Sequence, residues 1–258
     1  MDVILTAGGT PAADDPLYAL TQGKPKALLE IAGKPMIQWA LDALAAAQSI
    51  DQVVVVGLPL DAEVDYPRRI TRIPNQGDMV ANIMAGSLTL QANATTCPYA
   101  LVMASDVPAV TGEMIDWLVA QVLALQCDLV YTVVEQPVME KAFPGAKRSY
   151  IPLKDMAVCG GDVNGFCLAT VTDENPFYRK LIESRKNALK QAAIMGFDTL
   201  LLILLRAMTL DQASQRISRR LGVRGKVLPS PYAQIAMDVD KPHQFALLEQ
   251  VLTAQQIS

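Results

Sequence analysis

The strongest constraint on the fold of this chain is its alternation of wholly apolar runs with segments of helical spacing. Apolar runs typical of strands buried on both faces occupy residues 3–7, 52–57, 99–105 and 127–134. Between them, segments at 36–48, 81–92 and 112–125 have apolar residues at helical spacing. Strands of this kind separated by helices predict a single three-layer α/β/α domain with a mostly parallel central sheet.

The second half of the chain is less regular. Residues 135–162 are rich in proline, glycine and lysine and are predicted to be an inserted segment on the substrate side, after which 163–171 returns as a strand. Helices are predicted at 177–195, 199–208, 211–222 and 243–255, and a last strand within 233–242. Because no repeat or linker is evident, residues 1–258 are assigned to one domain.

The composition restricts the classes of function. Apolar residues make up 51% of the chain, and the net charge of -4 argues against a nucleic-acid-binding protein that works through a general basic field. Four cysteines without a CxxC pair and a single histidine argue against a zinc site. The longest apolar run, 200–205, is far shorter than the roughly 18 residues of a membrane span, and the chain starts without a signal-peptide pattern. We therefore expect a cytoplasmic protein with no membrane partner.

Three groups of residues at expected strand ends could carry chemistry. Gly8 and Gly9 follow the first strand, where glycines let backbone N–H groups approach a phosphate, although such a pair is also typical of a surface turn. Asp106 follows the strand at 99–105 and could bind Mg²⁺ or serve only in a turn. Asp238 and Asp240 share a face if they lie on a strand, which favours a bound cation, although one of them could simply cap the next helix.

Several short motifs occur in a fixed order around these residues. Gly8-Gly9 is followed by Pro25-Lys26-Ala27-Leu28 and Gly33-Lys34-Pro35, and later by "GDMVANIMAG", "SDVPAVT" and "MDVDKPHQF". This order resembles nucleotidyltransferases with a MobA-like fold, which include sugar-1-phosphate nucleotidyltransferases and methylerythritol cytidylyltransferase. The similar elements extend from residue 2 to about residue 247, and they imply a Rossmann-like domain.

The resemblance implies a role for each matching residue. Nucleotide-binding positions would be Gly8, Gly9, Thr10, Lys26, Gly77 and Asn82. Lys26 would be the catalytic residue, contacting the α- or β-phosphate. Asp106 and Asp240 would hold Mg²⁺, with Asp238 as the second choice. The implied reaction is attack of an acceptor oxygen on the α-phosphorus of a nucleoside triphosphate, with release of pyrophosphate.

The acceptor is expected to be a small anion. Lys147 and Arg148 belong to a locally basic stretch of an acidic protein and are candidate acceptor-binding residues. Asp162 and Asn164 follow Gly160-Gly161 and could bind a hydroxyl group of a sugar or ribose. A solvated loop and a plain turn are the respective alternatives. The sequence leaves the oligomeric state open, and a homo-oligomer is compatible with it.

Two other functions stay open, each because of a different feature of the sequence. The family usually has an arginine shortly after its glycine loop, whereas between Thr10 and Pro25 the only basic residue is Lys24. A catalytically degenerate, nucleotide-binding regulatory protein is therefore one alternative. A glycosyltransferase that uses a nucleotide sugar is the other, because Asp238-Val239-Asp240 also spells the Asp-x-Asp of many such enzymes.

Overall fold

A computed structural model describes residues 1–171 and 197–257 of the chain. The strands of this part are β1 (Asp2–Thr6), β2 (Glu30–Ile31), β3 (Lys34–Pro35), β4 (Gln52–Val56), β5 (Arg69–Ile73), β6 (Tyr99–Ala104), β7 (Leu129–Glu135), β8 (Ile151–Pro152), β9 (Ala157–Gly160), β10 (Val163–Cys167) and β11 (Gly225–Pro229). Its helices are α1 (Tyr18–Thr21), α2 (Met36–Ala46), α3 (Met79–Ala92), α4 (Gly112–Leu125), α5 (Gln136–Ala142), α6 (Phe197–Leu204), α7 (Leu210–Leu221) and α8 (Pro242–Ile257). None of these helices combines the length and the hydropathy needed to cross a membrane.

In the described part of the chain, nine strands form one mixed sheet in the order β5-β4-β1-β6-β10-β7-β9-β8, with β11 also paired to β7. The strands β5, β4, β1 and β6 are parallel neighbours, as are β7 and β11. Among these nine strands, only β10 and β9 run against the common direction. The prediction of a single α/β domain with a mostly parallel central sheet is therefore confirmed.

Successive side chains of a central strand point to opposite faces of the sheet, and helices cover both faces. Val3 and Leu5 of β1 point to one face, where they belong to a core cluster with α2 and α4. Ile4 between them points to the other face, where Leu90 of α3 packs in a separate cluster. Since β1 is apolar on both faces, it can only be buried between helices, as the sequence predicted.

Most predicted elements are found within two or three residues of their expected ends, and α4 has the predicted bounds. The predicted strand within 233–242 is wrong. This segment begins as a 3-10 turn at Ala233–Ala236 and then crosses the edge of the sheet. It is held there by two isolated backbone bonds, from Asp162 N to Ile235 O and from Val239 N to Asp106 O. The predicted helix at 177–195 lies outside the described residues.

Several short elements were not predicted from the sequence. Arg69 and Arg72 interrupt the apolar pattern of β5, which lies at the edge of the sheet. The segment 135–162 was predicted to be an insertion, and it contains α5, β8 and β9. Its role on the substrate side stays a prediction.

Candidate active site

A cavity of about 330 Å³ lies at the carboxyl ends of β1 and β6. Open α/β sheets bind their ligands at this edge. The lining residues come from the loops after β1, β5 and β6, from the start of α3 and from the segment of Lys26; they are Thr6, Ala7, Gly8, Gly9, Lys26, Ala27, Asn75, Gly77, Asp78, Met79, Asn82, Ala104, Ser105 and Asp106. The parallel arrangement of the strands thus brings distant parts of the sequence to one site.

The glycine loop after β1 is fixed by close backbone contacts. A Cβ on Gly57, which has φ +93°, would lie 2.5 Å from Gly8 Cα and 2.7 Å from Gly8 N. A Cβ on Gly8 would lie 3.0 Å from the side chain of Asn75, whereas a Cβ on Gly9 would meet nothing within 4 Å. Gly9 therefore leaves open space beside its backbone, which a ligand can approach closely.

Asparagine side chains join this loop to the loop after β5. Asn75 Nδ2 donates a 3.1 Å hydrogen bond to Gly8 O, and Asn75 Oδ1 accepts one of 2.9 Å from Gly77 N. Asn82 is buried near the start of α3, and its Oδ1 accepts a 2.7 Å bond from Gln76 N. Asp78 caps α3 by accepting from Ala81 N. These bonds hold the wall of the cavity in place before any ligand binds.

Lys26 connects the glycine loop to an acidic cluster. Its backbone N donates to Gly9 O at 2.9 Å. Its Nζ lies 2.6 Å from Asp106 Oδ2 and 2.6 Å from Asp240 Oδ1. Burial lowers the pKa of this ammonium, but the attraction of Asp106 and Asp240 outweighs burial, so the pKa is raised overall. Lys26 is therefore a firmly charged group at the end of the cavity.

Three carboxylates form the acidic cluster, since one oxygen each from Asp106, Asp238 and Asp240 lies within 4.8 Å of the others. Asp106 Oδ1 is buried without a hydrogen-bond partner in the described part of the chain. Asp240 differs in that 56% of its side chain is exposed. The two aspartates near the C-terminus reach the cluster from an irregular segment, so the predicted reason for their proximity, a shared strand face, is wrong.

A second cation contacts the acidic cluster. Arg148 forms an ion pair with Asp238, and both side chains are nearly buried. The neighbouring Lys147 is exposed and has a backbone φ of +50°. The two predicted acceptor-binding cations thus differ, since only Arg148 reaches the cluster, and there it is already paired.

Asp162 comes to the site through a bulge between β9 and β10. Val133 of β7 pairs with Gly160, and Val130 pairs with Gly165, so β7 advances three residues while its partner advances five. Such bulges redirect side chains and are common beside active sites. Asp162 O accepts a 3.0 Å bond from Ala104 N, which places the residue beside the end of β6 and close to Asp106.

The side chain of Asp162 is unusual in its ionisation. Burial, which is the largest cause, and the nearby carboxylates of Asp106 and Asp240 together raise its pKa to about 7, although Arg148 and Lys26 oppose this rise. Its Oδ2 is buried and has no hydrogen-bond partner among the described residues. A carboxyl group of this kind suits contact with a ligand more than a structural ion pair.

The side chain of Asn164 forms hydrogen bonds with backbone groups at the same bulge. Its Oδ1 accepts from Thr132 N at 2.8 Å, and its Nδ2 donates to Gly161 O at 3.0 Å. These bonds occupy the amide that was predicted to bind an acceptor hydroxyl. The acceptor-binding role of Asn164 stays a prediction, whereas its structural contacts are evident.

The structure brings most of the predicted site residues together. Five of the six predicted nucleotide-binding residues line the cavity, and Thr10 is exposed outside its lining. Lys24, which stands where the family usually has an arginine, is also exposed and outside the lining. The prediction overlooked Asn75, although its place after β5 could have identified it had that strand been recognised.

Solved structures of other proteins resemble this chain in overall fold. A solved structure described as a hypothetical transferase from Thermus thermophilus is 29% identical to this chain, with a TM-score of 0.78, and the match covers 95% of this chain and 98% of that one. A 2-C-methyl-D-erythritol 4-phosphate cytidylyltransferase, also from Thermus thermophilus, matches with 14% identity, a TM-score of 0.56 and 98% of both chains. A CMP:2-keto-3-deoxy-manno-octonic acid synthetase in complex with CTP matches with 12% identity, a TM-score of 0.57 and 98% of both chains. The last two show a shared fold alone.

Sequence comparison identifies the family of this chain. The 2-C-methyl-D-erythritol 4-phosphate cytidylyltransferase of Synechococcus sp. (strain WH7803) is 53% identical over 36 residues, which are 14% of this chain and 16% of that enzyme. The model of the MobA-like NTP transferase domain matches residues 20–221. The predicted resemblance is thus confirmed, and the prediction of a nucleotidyltransferase is confirmed at the level of the family. This chain belongs to the MobA-like NTP transferase family.

Proposed function

We propose that this protein is a Mg²⁺-dependent nucleotidyltransferase that transfers a nucleoside monophosphate from a nucleoside triphosphate to a small, phosphorylated acceptor. The observation that carries the proposal is the contact of Lys26 with both Asp106 and Asp240 beside a cavity walled by Gly8 and Gly9. This arrangement places a cation, carboxylates and open glycine backbone around one space. Phosphoryl transfer needs these groups, because its catalysis rests on positioning and charge neutralisation.

The nucleotide would occupy the cavity between the glycine loop and the start of α3. Backbone N–H groups of Gly8 and Gly9 would bind its phosphates, and Gly77 and Asn82 would lie beside its base or ribose. Thr10 would contact the bound nucleotide only after a movement of the exposed loop that follows Gly9. Support comes from the rigid bonds of Asn75, which fix the two loops relative to each other. A preformed wall lowers the ordering cost of binding.

Mg²⁺ fits the residues of the cluster. Carboxylate oxygens are the protein ligands that this hard cation takes, usually one or two of them together with phosphate oxygens. Asp106, whose Oδ1 lacks a hydrogen-bond partner among the described residues, and the partly exposed Asp240 are therefore the proposed ligand residues. Asp238 is the second choice because Arg148 already pairs with it. Bound there, the ion would neutralise charge on the triphosphate.

The proposed reaction forms no covalent intermediate with the protein. An oxygen of the acceptor attacks the α-phosphorus, the bond from that phosphorus to the bridging oxygen of the β-phosphate breaks, and pyrophosphate leaves. A phosphate acceptor is already deprotonated and needs no strong general base. Lys26 would orient the phosphates and stabilise the charge that develops on them.

The acceptor would bind beside the aspartates, next to the nucleotide cavity. Arg148, Asp162 and the bulge between β9 and β10 lie there, close to Asp106. Arg148 would attract the acceptor anion, with Lys147 contributing from the surface. Asp162 and Asn164 would contact its hydroxyl groups.

Pyrophosphate release tests this function. The protein is incubated with each nucleoside triphosphate, Mg²⁺ and a panel of sugar 1-phosphates and alcohol phosphates. We expect release that depends on the acceptor, that is lost in Asp106→Asn and that persists in Asp211→Asn. Asp211 is a suitable control because it pairs with Lys226 at an exposed site.

The same assay separates the alternatives. Nucleotide binding without acceptor-dependent release would indicate the regulatory protein and refute the transferase. Transfer from a nucleotide sugar would indicate the glycosyltransferase, against which the family assignment already argues.

A further inference from the structure

The ammonium of Lys26 lies in the place where a metal ion between Asp106 and Asp240 would lie. Its Nζ is 2.6 Å from an oxygen of each carboxylate. A divalent cation bound to the same two oxygens would be in contact with this ammonium, and two positive charges repel strongly at that separation. The ion pairs seen here and a metal bridging these two oxygens therefore exclude each other.

Only the side chain of Lys26 has to move to resolve this conflict. Its backbone is fixed by the bond from Lys26 N to Gly9 O and by the 3-10 turn at Lys26–Leu28, in which Ala27 is buried. The four-carbon stem of a lysine is flexible. Since Lys26 also lines the nucleotide cavity, its ammonium can turn from the carboxylates toward a phosphate without a change in the backbone.

We propose that Lys26 acts as a tethered counter-cation, which neutralises Asp106 and Asp240 in the free protein and is displaced when the metal arrives with the nucleotide. This inference rests on the proposed function, because it takes the metal and the triphosphate from it. The metal takes over the carboxylates, and the released ammonium binds the phosphates. The metal thereby gains the two carboxylates as ligands, and the ammonium gains the phosphates as partners.

Arg148 restricts the exchange to Asp106 and Asp240, because it keeps Asp238 paired. It pairs with Asp238, and only 14% of the arginine side chain and 10% of the aspartate side chain are exposed. Breaking a buried pair leaves an uncompensated charge, so this pair is expected to stay intact. Lys26 must leave two carboxylates, of which Asp106 is 20% exposed and Asp240 is 56% exposed. Each of its pairs therefore lies nearer to solvent than the pair of Arg148 and costs less to open.

Two properties follow from the exchange. A divalent cation alone binds weakly, because it must displace an ammonium that then has no partner. With a nucleoside triphosphate the cation binds more tightly, because the displaced ammonium contacts a phosphate. The exchange therefore couples metal binding to nucleotide binding, and by linkage the coupling is the same in both directions.

Binding of Mn²⁺ without nucleotide tests the exchange. Free Mn²⁺ is measured by electron paramagnetic resonance in titrations of the full chain, of Lys26→Met and of the control Lys226→Met. Lys226 pairs with Asp211 at 2.8 Å on the surface, so its variant removes a lysine without touching the cluster. We expect Mn²⁺ to bind Lys26→Met about tenfold more tightly than wild type, since a competing unit charge is gone, and to bind Lys226→Met as it binds wild type. Equal or weaker binding to Lys26→Met would overturn the proposal.

Two further titrations complete the test. Asp106→Asn in the Lys26→Met background must lose the added affinity, since retained affinity would place Mn²⁺ outside the cluster and overturn the proposal. A nucleoside triphosphate should tighten Mn²⁺ binding less in Lys26→Met than in wild type, and an undiminished effect would contradict the exchange. Lys26→Gln serves as the second variant if Lys26→Met does not fold.

The outcome is independent of turnover. Tighter Mn²⁺ binding in a protein that never releases pyrophosphate would retain the exchange and refute the transferase. Acceptor-dependent release of pyrophosphate, together with equal Mn²⁺ binding by wild type and Lys26→Met, would retain the transferase and refute the exchange.

Discussion

Asp162 should make the folded protein less stable as the pH rises. Its pKa is raised from 3.8 to about 7 by burial and by the neighbouring aspartates. Between these two values the unfolded chain ionises this carboxyl while the folded protein keeps it protonated. The folded state then binds more protons, so the free energy of unfolding falls as the pH rises from about 4 to about 7, and the loss is complete above that range.

The size of the effect follows from the shift. About three pKa units at about 1.4 kcal/mol each give an upper limit of about 4 kcal/mol. Asp162 is not fully buried, and relaxation of its surroundings reduces the loss, so we expect about 2 kcal/mol. The substitution Asp162→Asn removes the titrating group and keeps a similar shape.

Urea denaturation of wild type and Asp162→Asn at a series of pH values, without divalent cations, measures the difference in the free energy of unfolding. Contributions of other titrating groups largely cancel in that difference. We expect the stability of wild type relative to Asp162→Asn to fall by about 2 kcal/mol between about pH 4.5 and about pH 8. A difference that is constant, or that favours wild type at high pH, would refute the reasoning.

Three other substitutions test the glycine loop and the acidic cluster. Gly57→Ala should destabilise the protein by about 3 kcal/mol or more, because of its positive φ and the overlap with Gly8; denaturation curves check this, and stability equal to that of Gly9→Ala would count against it. Lys26→Ala should lower kcat for pyrophosphate release by roughly 10²–10³, whereas near-normal turnover would rule out its catalytic role. Asp106→Ala should abolish Mg²⁺-dependent nucleotide binding in calorimetry, and an unchanged titration would show that the metal binds elsewhere.

Local sequence patterns predicted the central part of the fold and one half of the site. The apolar run before Gly8 and the run before Asp106 each identify a strand end, and parallel strands bring such ends to one edge. This is why the glycine loop and Asp106 could be placed together without a structure. Lys26 was recognised from the family motif rather than from its surroundings.

The remaining contacts depend on parts of the chain that no local pattern links. Arg148 and Asp238 are 90 residues apart in two irregular segments, so their pairing depends on the tertiary fold. The bulge that positions Asp162 appears only in the register of β7 against β9 and β10. The edge strand β5 has a mixed pattern, so Asn75 after it was overlooked. Irregular segments held by tertiary contacts carry little periodicity for sequence analysis to detect.

A metal and a triphosphate are expected to meet between the glycine loop and the aspartates. The most direct test is a crystal structure of the protein with Mn²⁺ and a non-hydrolysable nucleoside triphosphate, in which anomalous scattering locates the metal. We predict an anomalous peak in contact with Asp106 and Asp240, with the phosphates against Gly8 and Gly9 and the ammonium of Lys26 turned toward them. A metal peak away from these aspartates, or a nucleotide outside this cavity, would refute this arrangement of metal and nucleotide.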